Sequence, residues 1–424
     1  MKKIVLSIFL AITPAIMSAQ SGTNSPYSQF GLGVLSEQST GFNRGMNGLS
    51  IAMKESNQVN YGNPASYSSM DNLTFIMDVG AALQVTNFKE GSRKINANNA
   101  NFEYAVMGFR VMKNLGMSIG IMPFSNVGYN YKSTNKISDS SPTTYTTSYN
   151  GSGGTRVMYI GAGWMPIRNV SIGANIGYFW GSYNRNVINN YSDENVNTIG
   201  RYYSAELNSY KLDLGLQYTL PLGKKDKVIF GATYSPGHTV AGSSKLEEVS
   251  NSINISDTTS YSHSNKLFLP TTIGAGLSWY HTTKWRVGFD YTLQKWGERE
   301  FPDFQNNEYI LSKDVLTDRQ KFTAGGEYVH NAMSRKYLHR VHVRAGVSYA
   351  TPYIKVNGQN GPKEISASIG FGLPITNSWN NRSLLNISAQ WVRNSADGLI
   401  SENTFRINLG ITFNERWFMK WKLE

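Results

Sequence analysis

The sequence predicts an all-β fold: a transmembrane antiparallel β-barrel of about 14 strands with an N-terminal plug segment in its lumen. Three observations predict it. Runs of period-two alternation recur from residue 72 to the end of the chain. The connections between these runs alternate long and short. The composition has abundant aromatics and 40 Gly but few charges and no Cys. It suits a strand-rich wall and excludes a disulfide framework or thiolate chemistry.

Residues 1–19 read as a secretory signal peptide. Lys2 and Lys3 are the basic start, Ile4 to Ile16 is a short apolar run, and Ser18-Ala19 precedes a cut at Ala19/Gln20. The run is shorter than the roughly 20 apolar residues a spanning helix needs. Residues 20–71 differ from all that follows. They are rich in Gly, Asn and Ser with recurring aromatics and little period-two order. A compact segment packed on something larger is expected, with a disordered tail as the alternative.

Residues 72–424 form the expected barrel. Leu73, Phe75, Met77, Val79, Ala81, Leu83 and Val85 share one face of the first run. In Leu269–Trp296, Trp285, Val287, Phe289 and Tyr291 alternate with Arg286, Gly288, Asp290 and Thr292. A soluble sandwich would give the same alternation with its apolar face inward. The connections discriminate. Ser133–Gly154, Arg185–Tyr203, Ala241–Lys266 and Lys295–Arg319 are long, polar and follow odd-numbered strands. Lys113-Asn114, Pro166–Asn169, Gly223–Asp226 and His281–Lys284 are short and follow even-numbered ones. Outer-membrane barrels put short turns at one end and long loops at the other. The apolar faces are therefore assigned to lipid. Asp78, Asp213, Arg286, Asp290, Glu327, Arg344 and Arg406 are assigned to the lumen. A barrel this wide cannot fill itself with side chains, so the N-terminal segment is the expected plug.

The residues also carry a resemblance. Gly41 to Ser66, a glycine-rich piece leading to Asn63-Pro64-Ala65, resembles the hatch of FadL-like outer-membrane transport proteins. Pro270 to Trp296 resembles a late hairpin of that family, ending in Asp290-Tyr291 and Trp296. Ser25 to Gly33 and the ending ERWFMKWKLE resemble its Bacteroidetes branch. The resemblance implies a plugged 14-stranded barrel that admits fatty-acid-like or hydrocarbon-like molecules and releases them sideways into the bilayer through a strand kink. It puts Gly41, Arg44, Gly45, Asn63, Pro64 and Ala65 in the plug with a gating role. No substrate-contact residue carries over, because the external loops diverge.

Other chemistries are poorly supported. The formal net charge of +12 is dispersed, which argues against nucleic acid. His339 and His342 are three apart on a strand pattern and face opposite sides, so no metal site is expected. There is no nucleophile elbow or phosphate loop, and neither catalysis nor a cofactor is expected. Asn63-Pro64-Ala65 reads equally as a structural turn, and Arg286 with Asp290 as a structural clamp or a headgroup site. The basic short turns read as a solvated rim, or as a docking face for an acidic partner or lipid phosphate. The expected location is the bacterial outer membrane. The expected partners are its lipid and lipopolysaccharide, a hydrophobic ligand and another outer-membrane protein. The function read from the sequence is uptake of hydrophobic small molecules by lateral diffusion. The alternative is a structural barrel subunit of an assembly or secretion complex.

Overall fold

A computed structural model describes residues 22–138, 143–193, 195–251, 255–305, 307–375 and 383–416. The signal peptide 1–19 with its cut site, Arg382 and the ending from Trp417 onward lie outside the described residues. No described helix is long and apolar enough to cross a membrane.

Fourteen strands close into one antiparallel barrel. They are β1 Thr74–Glu90, β2 Arg93–Met112, β3 Leu115–Lys136, β4 Thr144–Ile167, β5 Val170–Tyr191, β6 Thr198–Leu222 and β7 Asp226–Ser235. Then come β8 Thr271–His281, β9 Trp285–Lys295, β10 Arg319–Val329, β11 His342–Ala350, β12 Lys363–Ile375, β13 Ser383–Ser395 and β14 Ser401–Arg416. Each pairs with its sequence neighbour, and β14 closes the ring on β1 from Arg416 opposite Thr74 to Ser401 opposite Lys89. That closure pairs the two terminal strands, which would otherwise be open edges in hydrocarbon.

The two faces separate cleanly. Val287 and Phe289 are 46% and 48% exposed, whereas Asp290 between them and Thr292 is 5% exposed. Leu277 and Trp279 on β8, and Leu409 and Ile411 on β14, continue the outward apolar band. Inside, small and polar residues such as Ser278, Ser366, Ser388 and Thr412 are buried.

The expected long loops are corrected at several places. Ser133–Gly154 is largely strand, because β3 runs on to Lys136 and β4 starts at Thr144. Arg185–Tyr203 is likewise consumed by β5 and β6. Ala241–Lys266 is a hairpin of Ala241–Asn251 and Ser256–Ser264, whose first strand pairs with the outer part of β6. Lys295–Arg319 holds the small hairpin Phe301–Gln305 and Glu308–Ser312. Polar strands outside the bilayer keep their ladders, since pairing satisfies backbone groups whatever the side chains face.

One pairing is incomplete. Strands β2 and β3 pair only from Ala105 opposite Ile121 to Met112 opposite Leu115. Beyond that, β2 continues with β1 and β3 continues with β4, so their facing edges part and leave a slot in the wall.

With no native Cys, single-Cys spin labelling tests the assigned faces. Labels at Phe289→Cys and Ile411→Cys in bilayers should collide strongly with oxygen and weakly with a water-soluble relaxation agent. A label at Thr404→Cys should do the opposite. Reversal at position 289 would invert the wall.

Candidate functional site

Residues 22–71 contain two 3-10 turns, Pro26–Gln29 and Pro64–Ser69, and a one-turn α-helix, Gly41–Arg44. The portion from Gly41 to Met70 touches strands all round the ring. Gly41 donates its N–H to Tyr104 Oη of β2 at 2.6 Å, and Arg44 Nη1 donates to Asn408 Oδ1 of β14 at 3.2 Å. Asn47 Nδ2 donates to Ser348 Oγ of β11 at 2.8 Å. The Ser50 and Ile51 N–H groups donate to Asp290 Oδ2 of β9 at 2.7 and 2.8 Å. Tyr61 donates to Asp213 of β6 at 2.9 Å. Ser68 bonds Ser171 of β5 at 2.9 Å. These contacts of the segment reach β2, β5, β6, β9, β11 and β14 of the ring.

Glycine sets how closely it seats. A β-carbon on Gly173 would sit 2.4 Å from the Pro64 carbonyl carbon, and one on Gly346 would sit 2.4 Å from that of Met46. Both are backbone contacts, so no side chain can move aside. Asn63 accepts a hydrogen bond from the Ala65 N–H at 3.1 Å and donates to Ile51 O at 2.8 Å. Pro64 opens the 3-10 turn, where its missing N–H costs nothing. Asn63-Pro64-Ala65 is thus a capped turn pressed on the wall. Gly45 lies against β12, its carbonyl accepting from Ser368 at 3.2 Å.

Charges hold the segment at three places. Arg44 pairs with Glu103 at 2.9 Å, and both are almost fully buried. Arg286 pairs with Glu55 at 2.6 Å and also with Glu327. Lys321 pairs with Glu37 at 2.8 Å. Glu327 is the hub: it also takes Arg344 Nε at 2.6 Å and faces His342 Nδ1 at 3.1 Å. Arg344 continues to Asn386 at 2.6 Å and lies over the Phe42 ring at 4.9 Å. Burial pushes the Glu37 carboxyl up. Lys321, with Arg44 and Arg319 farther off, outweighs this and holds it below its ordinary value.

The other sequence-selected residues fall nearby. Asp78 accepts from Tyr104 at 2.9 Å. Asp213 pairs with Lys211. Arg406 is held by the amide oxygens of Gln84, at 3.0 Å, and Gln390, at 3.4 Å. Arg286 and Asp290 do not pair with each other; each grips a different part of the N-terminal segment.

Sequence reasoning missed Glu103, Glu55 and Glu37. Glu103 sits in a bulge: the register passes from Gly80 opposite Tyr104 to Ala81 opposite Phe102. The bulge lets consecutive Glu103 and Tyr104 both be buried, which strict alternation forbids. Glu37 and Glu55 lie in a segment with no period to orient them.

One chamber, of about 270 Å³, is bordered by Glu37, Lys211, Asp213, Arg319, Lys321 and Arg406, with other polar and some apolar groups. An apolar cluster adjoins it, against β3 and β5. There Tyr27 and Leu32 pack among Phe124, Val127, Tyr129 and Phe179. The same stretch of chain fills the wall slot. On the β2 side Asn101 Nδ2 donates to Gly22 O at 2.6 Å, and Asn24 Nδ2 to Asn98 O at 3.2 Å. On the β3 side Val34 and Leu35 pair with Asn126 and Ser125, and Gly128 N–H donates to Ser28 Oγ at 3.1 Å.

Glu327→Gln should leave two buried guanidinium groups short of charge and cost about 3 kcal/mol in urea unfolding. Arg201→Ala, which breaks the half-exposed Arg201–Glu248 pair, should cost less than about 1 kcal/mol. The depressed Glu37 value gives a pH dependence with a fixed sign. Its contribution is complete above the unfolded value, near 4.5, and is lost as the pH falls through the lower native value. Glu37→Gln should remove that part of the acid loss in urea midpoints measured against pH.

Comparison with known proteins places this architecture. No curated protein matches. Among solved structures, the Ralstonia pickettii toluene transporter TbuX is 14% identical over 90% of this chain and 99% of its own, with a TM-score of 0.60. The P. putida toluene transporter TodX is 14% identical over 92% and 99%, TM-score 0.60. A Pseudomonas aeruginosa FadL homologue is 10% identical over 91% and 100%, TM-score 0.59. Identities this low establish a shared fold, that of FadL-like outer-membrane channels. The family model described as BamG matches residues 1–424. With the whole length matched, the chain, a closed fourteen-stranded barrel of FadL-like fold, belongs to the BamG family.

Proposed function

We propose that the protein is a structural barrel subunit of an outer-membrane protein assembly, with residues 20–71 as a fixed plug and no conduction through the lumen. One observation carries this reading: the N-terminal segment is bonded to strands around the ring and fills the slot between β2 and β3. The axial route is crossed by backbone hydrogen bonds and the Arg44–Glu103 and Arg286–Glu55 pairs. The lateral route at β2 and β3 is filled by residues 22–35. The chamber between them is rich in charge. A hydrocarbon entering it would strip water from Lys211, Asp213 and Arg406 and return no hydrogen bonds. Gly41, Arg44, Gly45 and Asn63-Pro64-Ala65 then serve as anchors. With no conduction through the lumen, function belongs to the outer surfaces.

A second reading, uptake of a hydrophobic small molecule by lateral diffusion, is favoured by the slot itself. The wall there lacks a direct ladder, and behind it lies the apolar cluster around Phe124, Tyr129 and Phe179. Residues 22–35 would have to leave before a ligand could enter. The solved channels of this fold titled as toluene transporters are consistent with that chemistry.

Two measurements separate the readings. Mild-detergent purification of the chromosomally tagged protein should recover another outer-membrane protein in stoichiometric amount. A deletion strain should take up labelled oleate and toluene at the wild-type rate. A protein purified alone, together with an uptake defect restored by the intact gene, would overturn the subunit reading and leave the transport reading standing.

A further inference from the structure

The two ends of the barrel differ in charge. The described connections at the short-turn end are residues 113–114, 168–169, 223–225, 282–284 and the longer 330–341. They carry Lys113, Arg168, Lys224, Lys225, Lys284, Arg335, Lys336 and Arg340, and no Asp or Glu. All but Arg340 are exposed. None forms an ion pair with a described residue. Asp226, next to the third connection, is engaged by His281 at 2.8 Å and by Trp279 Nε1 at 3.1 Å. The opposite end is mixed: Arg201 meets Glu248 at 2.7 Å and Lys295 meets Glu298 at 2.7 Å.

Two further features fix the depth of this cationic ring. Trp164, Tyr218, Trp279 and Trp285 are 41–48% exposed on the outer wall, a few residues from the turns. Aromatic girdles mark the level of lipid headgroups. The connection 330–341 is folded into a knuckle. Asn331 N–H donates to His339 O at 2.8 Å, the His330 and His339 rings meet at 4.4 Å, and Arg340 lies over Tyr337 at 5.5 Å. It presents Met333 and Leu338, 92% and 80% exposed, on either side of Arg335 and Lys336. Apolar tips among cations at a bilayer edge are the composition of interfacial segments.

We propose that this rim binds the anionic headgroups of the phospholipid leaflet at the short-turn end, with Met333 and Leu338 seated in the interface. The distribution selects lipid over a protein. The cations stand on connections β2–β3, β4–β5, β6–β7, β8–β9 and β10–β11, which lie around the circumference. A docked protein meets one sector, whereas a leaflet meets all of them. Each cation near an anionic surface adds to the attraction, within a Debye length. The inference is independent of whether the lumen conducts.

The test uses the full chain in nanodiscs of phosphatidylcholine, with or without phosphatidylglycerol. Phosphatidylglycerol should raise the thermal midpoint by roughly 5 °C, through preferential binding to the folded barrel. High salt should abolish the gain. The variant Lys224→Gln/Lys225→Gln/Arg335→Gln/Lys336→Gln should keep the phosphatidylcholine midpoint and lose the gain. A bimane on Leu338→Cys, otherwise wild type, should shift to the blue when phosphatidylglycerol is added. Equal wild-type midpoints in the two lipids would overturn the proposal, as would a gain that the fourfold variant retains. If that variant does not fold, an unshifted bimane overturns it instead. An acidic periplasmic protein binding the rim in phosphatidylcholine discs, with no phosphatidylglycerol effect, would assign the surface to a protein.

Discussion

A backbone group in hydrocarbon has no water to bond, so every N–H and C=O in the wall must find another strand or a substitute. The fourteen-strand ring meets that demand by closing β14 on β1. The demand is sharpest where the ring fails it. Strands β2 and β3 separate beyond Ala105 and Ile121. Their facing edges would be left bare, at a cost of several kcal/mol per unsatisfied group in a nonpolar setting. The N-terminal segment supplies what is missing with a two-residue ladder at Val34-Leu35 and with side chains of Ser28 and Asn24, and its Gly22 carbonyl accepts from the Asn101 amide of β2. Wall and segment are therefore interdependent parts of one structure.

That dependence explains the interior. A segment with little regular structure brings many unpaired backbone groups, and only a polar wall can receive them. Asp290 takes two adjacent N–H groups, and Ser278 donates to the Ala52 carbonyl at 2.6 Å. Where the segment approaches most closely, the wall is glycine, as at Gly173 and Gly346. Buried carboxylates and guanidinium groups pair because an isolated buried charge is expensive. Glu327 takes charge from Arg286 and Arg344 together, which joins three neighbouring strands, β9, β10 and β11, to Glu55 of the segment.

The wall was legible in the sequence because its code is local. Residues two apart share a face, and Trp285, Val287 and Phe289 against Arg286 and Asp290 state the code without a partner strand. All fourteen runs correspond to barrel strands for this reason. The outer hairpins were not legible. Ser133–Gly154 lacks apolar alternation because neither of its faces meets lipid, yet Ser133–Lys136 and Thr144–Gly154 are still paired. Glu103 was hidden by a bulge, a one-residue slip that reverses face without any mark in composition. The slot was hidden as well, since it depends on where two strands stop pairing rather than on what either contains. Asn63-Pro64-Ala65 was recognisable as a turn, but its seat between Ile51 and Gly215 comes from the fold.

The interior mixes its chemistry along the barrel axis, and that mixture bears on function. Near the short turns, the Glu327 network lies in the same region as a cluster of Phe42, Met46, Leu49, Met53, Ile229 and Tyr280. Toward the long connections, Tyr27 and Leu32 pack among aromatic side chains, while Arg319, Lys321 and Arg406 border the chamber. A through-route for an apolar solute needs continuous apolar lining, which the ionic groups interrupt. A sideways route needs the apolar cluster and the slot, and the segment from Gly22 to Leu35 occupies both. Opening them would free the β2 and β3 edges to be rebonded by something else. The entering partner would therefore have to be another strand-forming segment or water, because a hydrocarbon cannot satisfy an amide. This hydrogen-bond requirement makes the slot better suited to a polypeptide than to a small apolar ligand.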